Sequence, residues 1–180
     1  VTGLDVQKPL VDLARRNGAL NNCEDDVRFV DGDLLTPPAE IPEASFDHVM
    51  ANPPYFAANS GNPSPDAAKA IANMEGEAGL VDWVDAAHWA LKIRGSVTFI
   101  HRSDRVDDLL AALYGDFGEL VIFPLWPAQG KDAKRVIVTA RKGVASPAQI
   151  RHGLILHEED GSFSNQAQGI LKDAAALSVS

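Results

Sequence analysis

The sequence predicts an α/β fold in which helices cover both faces of a mainly parallel β-sheet. Short apolar segments alternate along the chain with helical patterns, and polar residues follow three of these segments, at Asp5, Asp33 and Asn52. Strands that alternate with helices are typical of parallel sheets, and such sheets bind ligands beyond the carboxyl ends of their strands. The chain has 180 residues, of which 46% are hydrophobic, so it can bury one substantial core. We therefore expect a single domain over residues 1–180.

The first half of the chain contains three predicted strands and one helix. Residues 1–6 form a short apolar strand, and Pro9 stands near the start of a helix that ends near Leu20 and carries one apolar stripe. Residues 27–30 alternate between apolar and polar types, and residues 45–50 form the third strand. That third strand stops abruptly at two successive prolines.

The second half continues the pattern. Residues 56–66 are rich in Asn, Ser, Gly and Pro, which favours an active-site lid or substrate loop without regular structure. A helix at 80–91 is expected next, and Gly95 separates it from a strand at 96–100. A second helix follows, which Asp104 caps and Gly115 ends. The remaining elements are strands at 119–123 and 135–140 around a loop at 124–134, a hairpin at 154–163 that turns at Asp160-Gly161, and a helix at 165–177.

Composition excludes several classes of protein. The net charge of −9 argues against a protein that coats long stretches of nucleic acid, although it leaves room for a local basic patch. Cys23 has no second thiol with which to pair, and the five histidines show no ligand spacing, so we expect neither a disulfide nor a metal site. No apolar run reaches the roughly 20 residues that span a bilayer. We expect a cytoplasmic protein that does not bind membranes.

Asp5 and Asp33 are candidate cofactor ligands. A carboxylate at the end of a strand can accept hydrogen bonds from a ribose diol, as in dinucleotide-binding sheets. A carboxylate in the next strand-end loop can accept a hydrogen bond from the amine of adenine. Each residue can equally cap a turn or a helix, so the sequence leaves both interpretations open.

The motif Asn52-Pro53-Pro54-Tyr55 gives each residue type a separate role at one planar amine. Such an amine is a poor nucleophile, and catalysis needs acceptors aimed at its two hydrogens. The Asn52 side chain and the Pro53 carbonyl can be these acceptors. The two prolines fix the backbone, and Tyr55 offers an aromatic face to a base. A plain strand-to-loop turn is the alternative, but the position after a buried strand favours catalysis.

Four segments carry a family resemblance over nearly the whole chain: residues 3–6, 30–34, 46–56 and 134–138 before the hairpin. The chain resembles the Rossmann-like class I S-adenosylmethionine-dependent methyltransferases of the Asn-Pro-Pro-Tyr type. More narrowly, it resembles the bacterial enzymes that methylate the adenine 3′ of the anticodon in a valine tRNA. The resemblance implies S-adenosylmethionine as the cofactor and RNA, specifically tRNA, as the substrate and partner.

The resemblance also implies residue roles. The expected catalytic residues are Asn52, Pro53, Pro54 and Tyr55. The expected cofactor-binding residues are Asp5 at the ribose, Asp33 with Leu34 at the adenine, and the neighbouring Val6 and Asn52. The glycine-rich loop of the family should precede Val1, and no Gly-x-Gly occurs in the chain. The expectation is that the domain is N-terminally incomplete and lacks its first strand.

Two other interpretations of the chain remain open. Methylation of a glutamine amide in a protein such as a release factor would use the same acceptors, because that amide is also planar with two hydrogens. A nucleotide-binding module without methyl transfer, or a nicotinamide oxidoreductase, would use Asp5 but would not explain the motif. Among other residues, His101-Arg102 could approach the substrate or close the sheet, and Lys131, Lys134 and Arg135 could contact phosphate or be solvated.

Overall fold

The computed structural model describes residues 1–55 and 78–179, which form two β-sheets with helices packed against them. The predicted lid at 56–66 lies outside the described residues. The elements in chain order are β1 (Thr2–Asp5), α1 (Lys8–Leu20), β2 (Arg28–Asp31), β3 (Phe46–Ala51), α2 (Leu80–Ala90), β4 (Leu91–Arg102), a one-turn 3-10 helix (Ser103–Arg105), α3 (Val106–Leu113), β5 (Phe117–Ala128), β6 (Arg135–Lys142), β7 (Gln149–Ile150), β8 (Leu154–His157) and α4 (Asn165–Asp173).

The larger sheet has the order β3-β4-β6-β5-β7, with β8 also paired to β5, and the smaller sheet is β1-β2. Among the described residues, four of the six strand pairings are parallel, and only the two pairings of β6 are antiparallel. The loop between β5 and β6 is short, which permits an antiparallel neighbour but not a parallel crossover. The predicted α/β class with a mainly parallel sheet is confirmed.

Helices cover both faces of the larger sheet. On one face, Phe99 of β4 and Val138 of β6 are fully buried against Leu109 of α3. On the other face, Phe123 and Leu154 bury Ala167 of α4. The two clusters use alternate residues of the same strands, because successive side chains of a strand point to opposite faces. Within the described residues, no helix combines the length and the apolar character that crossing a bilayer would require.

The expected break at Gly95 is wrong, because β4 begins at Leu91, directly after α2. Phe46 of β3 pairs with Leu91, and the register then shifts before His48 pairs with Ser96. Gly95 lies inside this irregularity, where an added Cβ would stand 2.9 Å from a backbone carbonyl of the same strand. Glycine is therefore needed for a close backbone approach within the strand rather than for a turn.

Two predicted helix ends are also wrong. Asp104 does not cap α3: it lies in the 3-10 turn and its carboxylate binds Arg102, while Arg105 occupies the cap position without a side-chain cap bond. The last helix ends at Asp173 rather than near 177, because Ala174 adopts a left-handed conformation (φ 52°). Both ends depend on local contacts that apolar periodicity does not reveal.

The predicted C-terminal hairpin is only partly correct. Its turn occurs as expected at Asp160-Gly161, where Gly161 has φ 84° and Glu158 and Ser162 share a backbone hydrogen bond. However, β8 pairs in parallel with β5, and only a single bridge joins His157 to Phe163. The segment is therefore an added strand of the large sheet followed by a turn.

Candidate active site

The Asn-Pro-Pro-Tyr motif, hereafter the NPPY motif, directly follows β3 at the carboxyl-terminal edge of the large sheet. Asn52 is exposed, Pro53 is buried, and Pro54 and Tyr55 are half-buried. The buried proline anchors the turn, because its ring fixes the backbone and packs against the protein. Within the described residues the Asn52 side chain makes no hydrogen bond, so its amide oxygen is available to a ligand.

Tyr55 is the residue at which three other elements meet the NPPY motif. Its ring centroid lies 5.9 Å from that of His101, which is fully buried at the end of β4. The Arg135 guanidinium at the start of β6 lies 5.6 Å from the Tyr55 ring centroid, a cation–π distance. Arg105 Nη1 donates a hydrogen bond to the Tyr55 carbonyl at 3.4 Å. These contacts fix both the ring and the backbone of Tyr55.

The 3-10 turn beside Tyr55 carries an ion pair. Arg102 donates hydrogen bonds to both carboxylate oxygens of Asp104, with Nε 2.8 Å from Oδ1. These bonds from Arg102 hold the pKa of the Asp104 carboxyl below its usual value, although Asp104 is exposed and Arg102 only half-buried. The pair stiffens the segment that supports Tyr55 and adds little stability, because exposed pairs are screened by water.

Asp5 and Asp33 lie at the same end of the smaller sheet. Asp5 ends β1 opposite Asp31, and its Oδ1 accepts a hydrogen bond from the backbone N–H of Gln7 at 2.8 Å. Asp33 Oδ1 accepts from the backbone N–H of Leu35 at 2.9 Å. One oxygen of each carboxylate therefore orders its own turn, which fixes the direction in which the carboxylate points.

The two apolar residues predicted at the cofactor site differ in exposure. Val6 is 62% exposed. Leu34 is half-buried and lines a cavity of about 250 Å³ between its loop and α2, with Trp89 on the helix side. Both residues offer an apolar surface to a flat cofactor ring.

The two carboxylates at the end of the smaller sheet, Asp5 and Asp33, fit the hydrogen-bond donors of S-adenosylmethionine. Its ribose presents a diol, which a strand-end carboxylate such as Asp5 can bind, and its adenine presents an amine, which Asp33 can bind. Both carboxylates are half-buried and are held by their own turns. Among residues 1–55 and 78–179, no group of three or more His, Cys, Asp or Glu side chains is arranged to hold a metal ion.

A larger cavity lies at the same edge of the large sheet. Its volume is about 860 Å³, and it opens between the β5–β6 loop and the C-terminal turn, with Trp126, Lys131 and His157 in its lining. Trp126 Nε1 donates a hydrogen bond to the His152 carbonyl at 2.8 Å, which fixes the indole. Sequence reasoning missed this cavity, because its residues are scattered over 40 positions of the chain.

Sequence reasoning also missed Arg105. Its contact with the Tyr55 carbonyl joins residues 50 positions apart. The helical pattern alone assigned residue 105 to the start of a helix. The preceding pair, His101-Arg102, was a candidate for approaching the substrate, and the structure places the His101 ring against Tyr55.

Comparison with solved structures defines the fold as that of class I methyltransferases. A protein named as a predicted O-methyltransferase from Agrobacterium tumefaciens superposes with a TM-score of 0.78 at 25% identity, covering 98% of this chain and 79% of that one. The tRNA (m1A58) methyltransferase of Aquifex aeolicus gives a TM-score of 0.56 at 15% identity, covering 81% of this chain and 54% of that one, and shows the fold alone.

The chain belongs to the N-6 DNA methylase family, whose family model matches residues 1–102. Two similar curated proteins are both named tRNA1(Val) (adenine(37)-N6)-methyltransferase. The one from Aeromonas hydrophila is 26% identical over 155 residues, which is 85% of this chain and 62% of the relative. The one from Porphyromonas gingivalis is 27% identical over 171 residues, which is 91% of this chain and 66% of the relative. The chain thus spans less than two thirds of the length of each relative. The family match and these relatives confirm the expected family resemblance.

Proposed function

We propose that the protein transfers a methyl group from S-adenosylmethionine to the exocyclic N6 of an adenine in RNA, with tRNA as the substrate. The observation that carries this proposal is the NPPY motif at the end of β3, where Asn52 is exposed and Pro53 and Tyr55 are held in place. The names of the A. hydrophila and P. gingivalis relatives support adenine N6 and tRNA.

The proposed mechanism assigns separate tasks to Asn52, Pro53 and Tyr55, and Pro54 helps Pro53 to fix the backbone that joins them. S-adenosylmethionine, when bound, supplies an electrophilic methyl group on a positively charged sulfur. Asn52 Oδ1 and the Pro53 carbonyl oxygen accept the two hydrogens of the target amine, so the nitrogen becomes more tetrahedral and its lone pair points at the methyl group. Tyr55 stacks on the target base and keeps the amine in line. Asn52 holds the proton that the nitrogen then loses to solvent.

The cofactor residues in this proposal are Asp5, Val6, Asp33, Leu34 and Asn52. Asp5 accepts hydrogen bonds from the ribose hydroxyls through the carboxylate oxygen that does not bind Gln7. Asp33 accepts one from the adenine amine. Asn52 contacts both the cofactor and the substrate, because the methyl group must lie between the two.

Methylation of a glutamine side-chain amide is the second candidate. That amide is also planar with two hydrogens, so Asn52 and Pro53 would act on it in the same way. The net charge of −9 favours a protein substrate mildly. The names of the relatives favour RNA, and we therefore place RNA first.

The test is methyl transfer by the full-length protein with radiolabelled S-adenosylmethionine. Unmodified total tRNA and a release factor are offered as separate substrates, and the labelled tRNA is digested to nucleosides. We expect label in tRNA as N6-methyladenosine and none in the release factor. Label only in the release factor, or in a tRNA nucleoside other than an adenosine methylated at N6, would contradict the proposal.

A further inference from the structure

Three cations on the loop before β6 and at the first residue of β6 form a surface beside the NPPY motif, which we call the basic loop surface: Lys131, Lys134 and Arg135. All three are exposed. Six other cations of the described residues lie against carboxylates, namely Lys8 and Arg15 at Asp12, Lys92 at Asp47, Arg102 at Asp104, Arg105 at Asp108 and Arg141 at Glu119. The remaining six cations of these residues form no ion pair with a carboxylate and lie at separate places along the chain: Arg16, Arg28, Arg94, Lys142, Arg151 and Lys172. No carboxylate of residues 1–55 and 78–179 pairs with the three loop cations, although the chain as a whole carries net charge −9.

The basic loop surface is attached to the proposed reaction centre at one end. Arg135 begins β6 and pairs in register with Arg102, the last residue of β4. Its guanidinium lies 5.6 Å from the centroid of the Tyr55 ring. A phosphate that binds Arg135 would therefore lie within about one nucleotide of a base stacked at Tyr55.

The loop is held in place by the same 3-10 turn that holds Tyr55. The Ser103 N–H donates to the Lys134 carbonyl at 3.2 Å, and the Ser103 hydroxyl donates to the Ala133 carbonyl. Two residues later, Arg105 binds the Tyr55 carbonyl. The spacing between the loop cations and the NPPY motif is thus fixed before any substrate binds, which lowers the entropic cost of binding.

At its other end, the basic loop surface reaches the 860 Å³ cavity. Lys131 lines that cavity together with Trp126, and its own backbone N–H closes a turn to the Ala128 carbonyl at 3.2 Å. The surface therefore leads from the NPPY motif to an open cavity whose lining includes an indole and histidines, together with the carboxylates of Asp132, Glu158 and Glu159. Phosphates would bind at the three cations rather than deeper in the cavity, because the carboxylates repel them, and the indole offers a flat face to a base.

We propose that Lys131, Lys134 and Arg135 bind the phosphates that flank the target base, so the substrate they select is a nucleic-acid strand. The proposal rests on the proposed function and extends it from a single base to its neighbours. Exposed cations without carboxylate partners can exchange their counterions for phosphates at little cost, which makes binding dependent on salt. A neutral glutamine loop of a protein would gain nothing from them.

The experiment compares two double variants of the full-length protein that remove the same number of positive charges. K131Q/K134Q alters the basic loop surface, and R16Q/K172Q removes exposed cations from α1 and α4. The dissociation constant for fluorescently labelled total tRNA is measured over a series of NaCl concentrations. For K131Q/K134Q we expect weaker binding and a smaller slope of log K against log salt, by about 0.7–0.9 per residue removed. R16Q/K172Q should keep the wild-type slope.

Arg135 is tested separately, because it also contacts Tyr55. Arg135→Gln should reduce the salt slope, whereas Arg135→Lys should preserve it, since the charge remains. A lost Tyr55 contact alone would weaken binding without changing the slope, so the slope separates phosphate binding from a structural role. Melting temperatures of the variants exclude unfolding as the cause of any loss.

The outcomes separate this inference from the proposed function. Equal slopes for K131Q/K134Q, R16Q/K172Q and the wild type would overturn the inference even if the protein methylates tRNA. Failure of the wild type to bind tRNA would also overturn the inference. So would a K131Q/K134Q variant that still binds tRNA but no longer binds a glutamine-containing release factor. A reduced slope without methylation of tRNA would support the inference and contradict the proposed function.

Discussion

Asn52 combines two properties that its proposed role requires. Its side chain is exposed and, within the described residues, makes no hydrogen bond, so it contributes little to stability and keeps its acceptor for a ligand. Its backbone is fixed between β3 and the buried Pro53. A preorganised acceptor of this kind is effective because the protein does not reorganise during the reaction.

We therefore expect Asn52→Ala to lower kcat/KM by about 100- to 1,000-fold, the loss typical of removing one polar group from a preorganised site. Steady-state methyl transfer to tRNA measures this. Asn17→Ala, at an exposed position of α1, is the matched control and should leave the rate unchanged. Turnover of Asn52→Ala near that of the wild type would remove the main support for the proposed mechanism.

Tyr55 is expected to act on the substrate through its ring. Tyr55→Ala should raise KM for tRNA about 5- to 150-fold, because stacking of one base on an aromatic side chain contributes about 1–3 kcal/mol. Tyr55→Phe keeps the contacts of the ring with His101 and Arg135 and should have a KM within about twofold of the wild type. An equal defect in both variants would point to the hydroxyl and away from stacking.

At the residue scale, the sequence indicated the kind of site but not its support. Asn52 and Tyr55 belong to a local motif, so their side-chain chemistry was visible in four consecutive letters. The contacts of Tyr55 with His101, Arg105 and Arg135 depend on three elements that only the folded sheet brings together. No local pattern encodes such contacts.

Lys142 is an element-scale feature, because it closes the junction between α2 and β4. It is only 8% exposed, and its Nζ donates to the His88 carbonyl at 2.6 Å and to the Leu91 carbonyl at 2.9 Å. The last carbonyls of a helix lack intrahelical donors, and a cation is favourable there. With this cap in place, the helix can pass into a buried strand without a loop.

Lys142→Met should lower the free energy of unfolding by about 1–3 kcal/mol, because buried carbonyls lose their donor. Urea denaturation measures this as a lower midpoint with an unchanged slope. Lys172→Met removes the same group from an exposed position of α4 and should change stability by less than about 0.5 kcal/mol. Equal effects of the two substitutions would show that Lys142 does not stabilise the junction.

Gly153 decides how the C-terminal segment joins the sheet. It has φ 80°, and an added Cβ would lie 2.1 Å from the Pro124 carbonyl oxygen. Pro124, which has no N–H to donate, lies where the partner of β5 changes from β7 at Ile122 to β8 at Leu125. The two residues allow the backbones to approach closely at this change of partner.

Gly153→Ala should therefore destabilise the protein by more than about 2 kcal/mol, which combines backbone strain with a backbone clash. Gly161→Ala is the matched control, because Gly161 has a similar φ of 84° and open space around its Cα. It should cost only about 1 kcal/mol, the strain alone. Similar losses in urea denaturation for both variants would rule out the clash at Gly153.

The sequence predicted the element boundaries at Gly95 and Asp104 wrongly because it used the usual behaviour of a residue type, and in each case a specific contact in the fold gives the residue another role. Gly95 looked like a break because glycine usually interrupts regular structure, yet in β4 it permits a close approach to the Lys92 carbonyl of the same strand. Asp104 looked like a cap, but its carboxylate binds Arg102. Lys142 continues the inward alternation of Val136, Val138 and Ala140, so extending that period by two residues would have found it.

At the scale of the whole molecule, alternation of strands and helices predicted the class of fold, because that pattern reflects burial of both faces of a sheet. It did not predict that β6 lies antiparallel between β4 and β5. Whether two consecutive strands pair parallel or antiparallel depends on the length of the connection between them. β5 spans residues 117–128 and is longer at both ends than the strand predicted at 119–123. The connection to β6 was therefore shorter than expected.

Cofactor binding stabilises the whole folded molecule, so thermal stability can distinguish a methyltransferase, which binds S-adenosylhomocysteine, from an oxidoreductase, which binds NAD. Binding of S-adenosylhomocysteine to the folded full-length protein at about 100 times its dissociation constant should add about 2.7 kcal/mol of stability. For a protein of this size that corresponds to a rise in melting temperature of about 5–10 °C. NAD at the same concentration should cause no rise, because Asp5 alone would recognise only its ribose. Asp5→Ala should remove most of the rise with S-adenosylhomocysteine, whereas Asp47→Ala, at an exposed carboxylate paired with Lys92, should retain it. Stabilisation by NAD alone would assign the strand-end carboxylates to a nicotinamide cofactor and leave the NPPY motif without a methyl donor.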